Sequence, residues 1–367
     1  MRARSRGLSL VELMVAVTIS LITVIVVTQV LTVYESRKRT ATTANDAEIS
    51  ASVGLFMMER EVRMAGAGLT LPSGFACAPG TNLFYDAATI LDGEARSPLR
   101  IVDGDAGTDR IEVFRGNPNF GVAPSTIVQN MASPDALVTV SSDLDLQAGD
   151  LVLASAPDGS KRCTLMQLSA DPEPTGNSWR LYHESDAQFP YNPADPGAEF
   201  ANPVSYEVSD VIVNLGRFGI RAFGVVCNDD GAPAADNSCD LAGWDAIAAP
   251  ANPTLADVDS IAPQVVNLQA QYGVAPLNSQ TVNEWVDATG AWAAPGAVDQ
   301  ARIKAVRIAI VTRGNLEREM VSPATLVLWD EGLATEATMD LDDEARRYRY
   351  KVLRVVIPLI NVIWAGV

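Results

Sequence analysis

The side chains able to do chemistry in this chain are few and scattered. A single histidine, His183 in LYHESD, excludes a His-rich metal site, and any Ser-His-Asp arrangement would have to use it. At the end of a strand-like run it reads as an ordinary surface histidine. No G-x-S-x-G, H-E-x-x-H or P-loop string occurs, so nucleophile-elbow, zincin and nucleotide chemistry find no support, and no enzyme activity is expected. The densest acidic cluster, DGDAGTD, offers Asp103, Asp105 and Asp109 as oxygen ligands for calcium. The twelfth position of an EF-hand loop would be Phe114 rather than a bidentate glutamate, so a plain turn is the better reading and no cofactor is expected.

Four cysteines, Cys77, Cys163, Cys227 and Cys239, lack the CxxC spacing of redox or zinc motifs and permit three disulfide pairings. Cys227 with Cys239 is the local pair, closing a loop too polar and too rich in glycine and proline to pack. Cys77 with Cys163 would follow by elimination. The remaining oddity is Glu12, a carboxylate at the start of an apolar run. A charge near hydrocarbon costs roughly 2.5–3.5 kcal/mol or more, so it marks a function and needs a partner.

The element that positions Glu12 is a membrane span. Residues 13–33 contain no charge, proline or glycine, enough for a helix of roughly 30 Å, the thickness of a bilayer core. Arg2, Arg4 and Arg6 precede it, so the first residues stay cytoplasmic and the body is exported to an oxidising compartment. A secretory signal fits poorly: the run outlasts the roughly 7–15 residues of an h-region, no A-x-A-like site follows, and an acid stands at its start. The whole chain carries 27 basic and 45 acidic residues, a net charge of −18. Such a body repels nucleic-acid phosphate, so no nucleic acid is expected as a direct partner.

Gly7, Leu8, Ser9, Leu10, Val11 and Glu12 resemble the type IV prepilin signature, in which a basic leader ends in glycine and a glutamate stands fifth in the mature chain. The resemblance implies cleavage by prepilin peptidase between Gly7 and Leu8, methylation of the new amino group of Leu8, and retention of the span as anchor. It also implies the partner of Glu12: the amine of a neighbouring subunit, which fixes register. Leu8 departs from the phenylalanine or methionine usual in the first mature position but keeps its apolar character.

Beyond the membrane the helix should continue, since no proline appears before Pro72. Ile49, Val53, Phe56, Met57, Arg60 and Met64 recur at helical spacing and are the face expected to pack on the following chain. The segment MMEREVRMAGAGL, residues 57–69, narrows the resemblance to PilW-type minor pilins. So does the order of VVNLQAQYGV, Trp285 and KAVRIAIVTR, more than two hundred residues from the leader. Runs such as RIEVF, ALVTV, DLVLAS and RCTLMQL, punctuated by Gly, Pro, Asn and Asp, predict antiparallel strands. Residues 241–263 read as a long surface loop and DLDDEARR, residues 340–347, as a helix start. The closing segment reads as an exposed, solvated strand, with a docking edge for an acidic partner subunit through Arg346, Arg347 and Arg349 as the sharper alternative. Relatives often end in leucine-arginine-asparagine after a proline; Pro358, Leu359 and Asn361 keep all but the arginine.

The expected organisation is a leader at 1–7, a transmembrane helix at 8–33, its amphipathic continuation at 34–66, a connecting loop at 67–110 and a β-rich body at 111–367, with a second lobe from about 205. The fold class is α+β, a long N-terminal helix packed on antiparallel sheet. The resemblance implies a minor pilin that primes assembly or caps the filament tip and supports twitching motility, adhesion or DNA uptake. Its implied partners are other minor pilins and the major pilin, met through the helix, together with the peptidase, the inner-membrane assembly platform and a tip adhesin. The protein would sit in the inner membrane, body in the periplasm, before assembly and at the cell surface afterwards. Two alternatives stand beside it: a pseudopilin of a type II secretion system, and a membrane-anchored exported enzyme or binding domain.

Overall fold

The computed structural model describes residues 10–71, 74–75, 77, 80–94, 97–105, 107–117, 124–228, 238–250, 253–329 and 338–364. One helix, α1 (Leu10–Arg63), runs for 54 residues, about 80 Å at 1.5 Å per residue. The segment Leu10–Thr32 is long and apolar enough to cross a membrane and none of it is buried by the protein. Within it the hydroxyls of Thr18, Ser20, Thr23, Thr28 and Thr32 return hydrogen bonds to carbonyls of the preceding turn, for example Ser20 to Ala16 at 2.7 Å. These polar groups are therefore satisfied without water.

The second half of α1 lies on two antiparallel sheets. One has four strands in the order Glu284–Val286, Val265–Val274, Ile303–Leu316, Tyr348–Pro358. The other has five in the order Asp259–Pro263, Cys239–Asp245, Gly219–Cys227, Arg110–Arg115, Leu99–Val102. Ala51, Leu55, Met58, Val62 and Ala65 of the helix join Ile308, Ile310, Leu241, Ala262 and Tyr272 of the sheets in one core. Gly54 lets the helix approach: a Cβ there would stand 3.0 Å from the Cβ of Ala262 and 3.1 Å from Leu241.

This is not the face that spacing predicts. Ile49, Val53, Phe56, Met57, Arg60 and Met64 are all exposed, Phe56 at 67%. Both sides of the helix are apolar, and counting large side chains favours the wrong one. The sheets take the side built from Ala51, Gly54 and Ala65, because small residues allow close approach and the core is packed at crystal-like density.

A third, nine-stranded sheet contains Thr81–Tyr85, Ala88–Glu94 and seven strands drawn from Pro124–Gln129 through Val211–Gly216. It is antiparallel except where Cys163–Gln167 runs parallel to Thr81–Tyr85. Leu153, Leu165 and Val213 enter one core and Val152, Met166 and Ile212 the other, so its central strands are buried on both faces. Strand Arg110–Arg115 pairs with Gly219–Cys227, which makes 124–216 an insertion between neighbours and not the first half of a body divided near 205.

Two expected loops are sheet. Residues 67–110 hold the strands Thr81–Tyr85, Ala88–Glu94 and Leu99–Val102, and residues 241–263 contribute two paired strands with Leu241, Ala242 and Trp244 buried. The latter are poor in β-branched residues, so propensity misses them; what they offer is small side chains beneath the helix. DLDDEARR yields only one 3₁₀ turn, Ala345–Arg347, before the chain turns extended at Tyr348. Disulfides join Cys77 to Cys163 and Cys227 to Cys239; the second links directly opposed residues of adjacent strands.

Candidate assembly interface

Glu12 lies in the first turn of α1 with its side chain exposed, while Gly7 and Leu8 lie outside the described residues. Everything on the helix from Leu10 to Thr32 faces outward. Past the span the helix turns polar, with Glu35 and Lys38 exposed, and an outward apolar stripe resumes further along at Ile49, Val53, Phe56, Met57 and Met64. At about 100° per residue these positions form one stripe opposite Ala51, Met58 and Val62.

The helix is held so that the stripe stays outside. Glu61 pairs with Arg115 of the five-stranded sheet at 2.6 Å, and Lys351 of the four-stranded sheet pairs with Glu48. At the C-terminal end Gly66 takes φ +81°, a conformation glycine adopts without strain, and donates its N–H to the Phe114 carbonyl at 2.9 Å. The Asn361 side chain donates to the carbonyl of Ala65 at 3.0 Å. Both ends of the packed half are thus tied to sheet or chain terminus.

The basic segment is turned to internal use. Arg346 donates to the Ser322 carbonyl at 3.3 Å and Arg347 to the Glu317 carbonyl at 3.2 Å, while Arg349 reaches the Glu317 carboxylate at 3.2 Å. Arg354 holds the carbonyls of Leu328 and Val327. These side chains clamp the excursion 317–329 onto the strand Tyr348–Pro358, although Arg349 remains half-exposed.

Asp103, Asp105 and Asp109 do not converge on a common point. Asp103 accepts the Asp105 N–H at 2.6 Å, and the two oxygens of buried Asp109 accept N–H groups of Gly104 and Ala270 at 3.1 and 2.8 Å. Among the described residues no group of three or more His, Cys, Asp or Glu is arranged to hold a metal ion. Burial pushes the Asp109 carboxyl up to about 6, helped by the charges of Asp103 and Asp287 and opposed by those two hydrogen bonds. His183 is half-buried, not an ordinary surface histidine: its Nε2 lies 2.8 Å from the Ala136 carbonyl, and loss of solvent lowers its pKa.

Composition gave no hint of Arg307, which is buried between the rings of Trp329 and Trp285, 4.5 and 5.0 Å from their centroids, with the Gln271 side-chain oxygen accepting from its guanidinium. Gln271 in turn donates to Asp287 at 2.5 Å. An arginine in the middle of the apolar run KAVRIAIVTR was the available signal.

A long helix with an unburied apolar face, fused to antiparallel sheet, is consistent with an α+β, pilin-like fold. The family model for the prokaryotic N-terminal methylation motif matches residues 2–28, and that for type IV pilus-assembly protein W matches residues 244–361. The two matches lie at opposite ends of the chain, and together they support a PilW-type pilin, a minor pilin associated with a type IV pilus and anchored in the membrane by its N-terminal helix. The two family matches imply interaction with other pilus components, and pilin-family domains are structural rather than enzymatic. Neither the curated proteins nor the solved structures include a match to this chain.

Proposed function

We propose that this protein primes type IV pilus assembly, or caps the filament tip, by inserting α1 among the helices of other pilins. The observation that carries the reading is the apolar stripe from Ile49 to Met64, exposed on the helix well beyond the membrane span while the opposite face is locked to the sheets. An anchor needs apolar surface only across the bilayer; surface of this kind further out calls for protein cover. In this reading prepilin peptidase cuts between Gly7 and Leu8, Leu8 is methylated, the body is periplasmic, and Glu12 meets the amine of an adjacent subunit. Twitching motility, adhesion or DNA uptake are the activities such a filament would serve, with the major pilin, partner minor pilins, the assembly platform and a tip adhesin as neighbours.

The test combines mass spectrometry of the native amino terminus with counting of surface pili in a gene deletion complemented by wild type or Glu12→Ala. The expected outcome is a chain beginning at N-methylated Leu8, few or no pili in the deletion, and rescue by wild type alone. A chain that still begins at Met1, or normal piliation without the gene, would remove the reading; loss of protein secretion with normal pili would transfer the chain to a secretion pseudopilus.

A further inference from the structure

A cavity of about 210 Å³ opens between the strand Cys163–Gln167, the segment 183–185, the proline-rich stretch 192–204 and the turn at 134–135. We propose that it binds an organic cation, a guanidinium or ammonium group on a short alkyl chain, such as an arginine or lysine side chain presents. The proposal is independent of the pilus reading, since it uses no residue of α1.

Size comes first. Sites for drug-sized ligands and cofactors run to roughly 300–1,000 Å³, so this cavity suits one side chain or a molecule of that size. Its walls include Leu165, Met166, Phe200 and Val204, an apolar lining that would receive an alkyl chain.

Chemistry follows from which polar groups are already engaged. Thr164 accepts from the Tyr206 hydroxyl at 2.9 Å. Asn192 accepts the Gln167 N–H and donates to the carbonyls of Gln167 and Glu184, so both of its N–H donors are used. His183 donates its ring N–H to the Ala136 carbonyl. The ionisable groups besides His183 are the exposed carboxylates of Asp135, which accepts a hydrogen bond from the Ser133 side chain, and Glu184, and among the described residues no lysine or arginine lines the space. Desolvation keeps the His183 imidazole neutral near neutral pH, so it does not cancel their field. An anion would meet two negative charges in an acidic protein, and a neutral polyol would find the amide and the threonine hydroxyl already engaged, leaving it the exposed Ser185 hydroxyl. A cation with an apolar stem matches both the rim and the walls.

His183 is the sole histidine of the chain, so its imidazole gives one resonance in the full-length protein in detergent micelles labelled with [13C]histidine. The probes are n-butylguanidinium and n-butylammonium, with n-butylurea as the uncharged control. Expected is a saturable shift of the His183 signal with at least one cation, none with the urea, and roughly ten-fold weaker binding by the Asp135→Asn/Glu184→Gln variant, whose exposed positions leave folding intact. Absence of a saturable shift with both cations, an equal response to the urea, or undiminished binding by the double variant would each overturn the proposal.

Discussion

Asn361 donates its side-chain amide to the carbonyl of Ala65, 3.0 Å away, joining residues 296 positions apart. The last carbonyls of a helix have no partner within it, and here the segment that closes the four-stranded sheet supplies one. Asn361→Ala should therefore loosen the end of α1. The expected cost is about 1–2 kcal/mol, read as a lowered midpoint in thermal unfolding of the detergent-solubilised chain. Asn361→Asp places an acceptor against the same carbonyl at the negative end of the helix dipole and should cost more. Equal stability of wild type and both variants would show that the contact is incidental.

Arg307 bridges the Val265–Val274 and Ile303–Leu316 strands to the excursion that carries Trp329. Its planar cation stacks between two rings while its N–H groups reach Gln271, a combination that a lysine ammonium reproduces only in charge. Arg307→Lys should cost about 1–2 kcal/mol and Arg307→Ala about 3 kcal/mol or more, since Gln271 and Asp287 then lose their organising charge. Both should red-shift tryptophan fluorescence as water reaches Trp285 and Trp329. Unaltered emission in the alanine variant would argue against the stacked arrangement.

The ends of this chain were more legible than its middle. Residues 7–12 and the uncharged run to 33 follow rules that act locally, so anchor and class can be read directly. The strands around Val306 and Val352 are equally plain, being runs of β-branched residues. Gly54, Leu241 and Ala262 show where local rules fail: none favours its element by propensity, and their meaning lies in a contact between segments nearly two hundred residues apart. For the same reason the five arginine and lysine side chains of the closing segment look like a docking edge in the sequence, whereas several hold the excursion 317–329 through carbonyls that composition cannot reveal.

Asp109 ties the turn at 103–109 to the strand Val265–Val274 through the Ala270 N–H, and its carboxyl is pushed up to about 6. A carboxyl raised above its unfolded value of roughly 3.9 favours folding most when protonated. That contribution is fully present below the unfolded pKa and lost as pH rises through about 6. The stability of wild type relative to Asp109→Asn should thus fall by on the order of 2–3 kcal/mol between about pH 4 and about pH 7. Urea unfolding of both proteins across that range provides the measurement. A difference that stays constant, or grows with pH, would mean that Asp109 titrates near its ordinary value.

Met58 and Phe56 stand two positions apart on α1 yet face opposite ways, the first fully buried against the sheets and the second exposed. Met58→Ala removes buried methylene and thioether volume from a packed core and should cost about 2–4 kcal/mol, lowering the thermal midpoint. Phe56→Ser removes nothing the monomer buries, so its unfolding should match wild type within about 0.5 kcal/mol. If the stripe is a surface for other helices, the order reverses in the filament. Phe56→Ser should reduce piliation and co-purification with partner pilins although the chain is folded and present in the membrane. A conservative Met58→Leu, which retains core volume, should leave both intact. Piliation unaffected by Phe56→Ser and by the further change Val53→Ser would mean that the outward face of the helix beyond the membrane is not where other subunits bind.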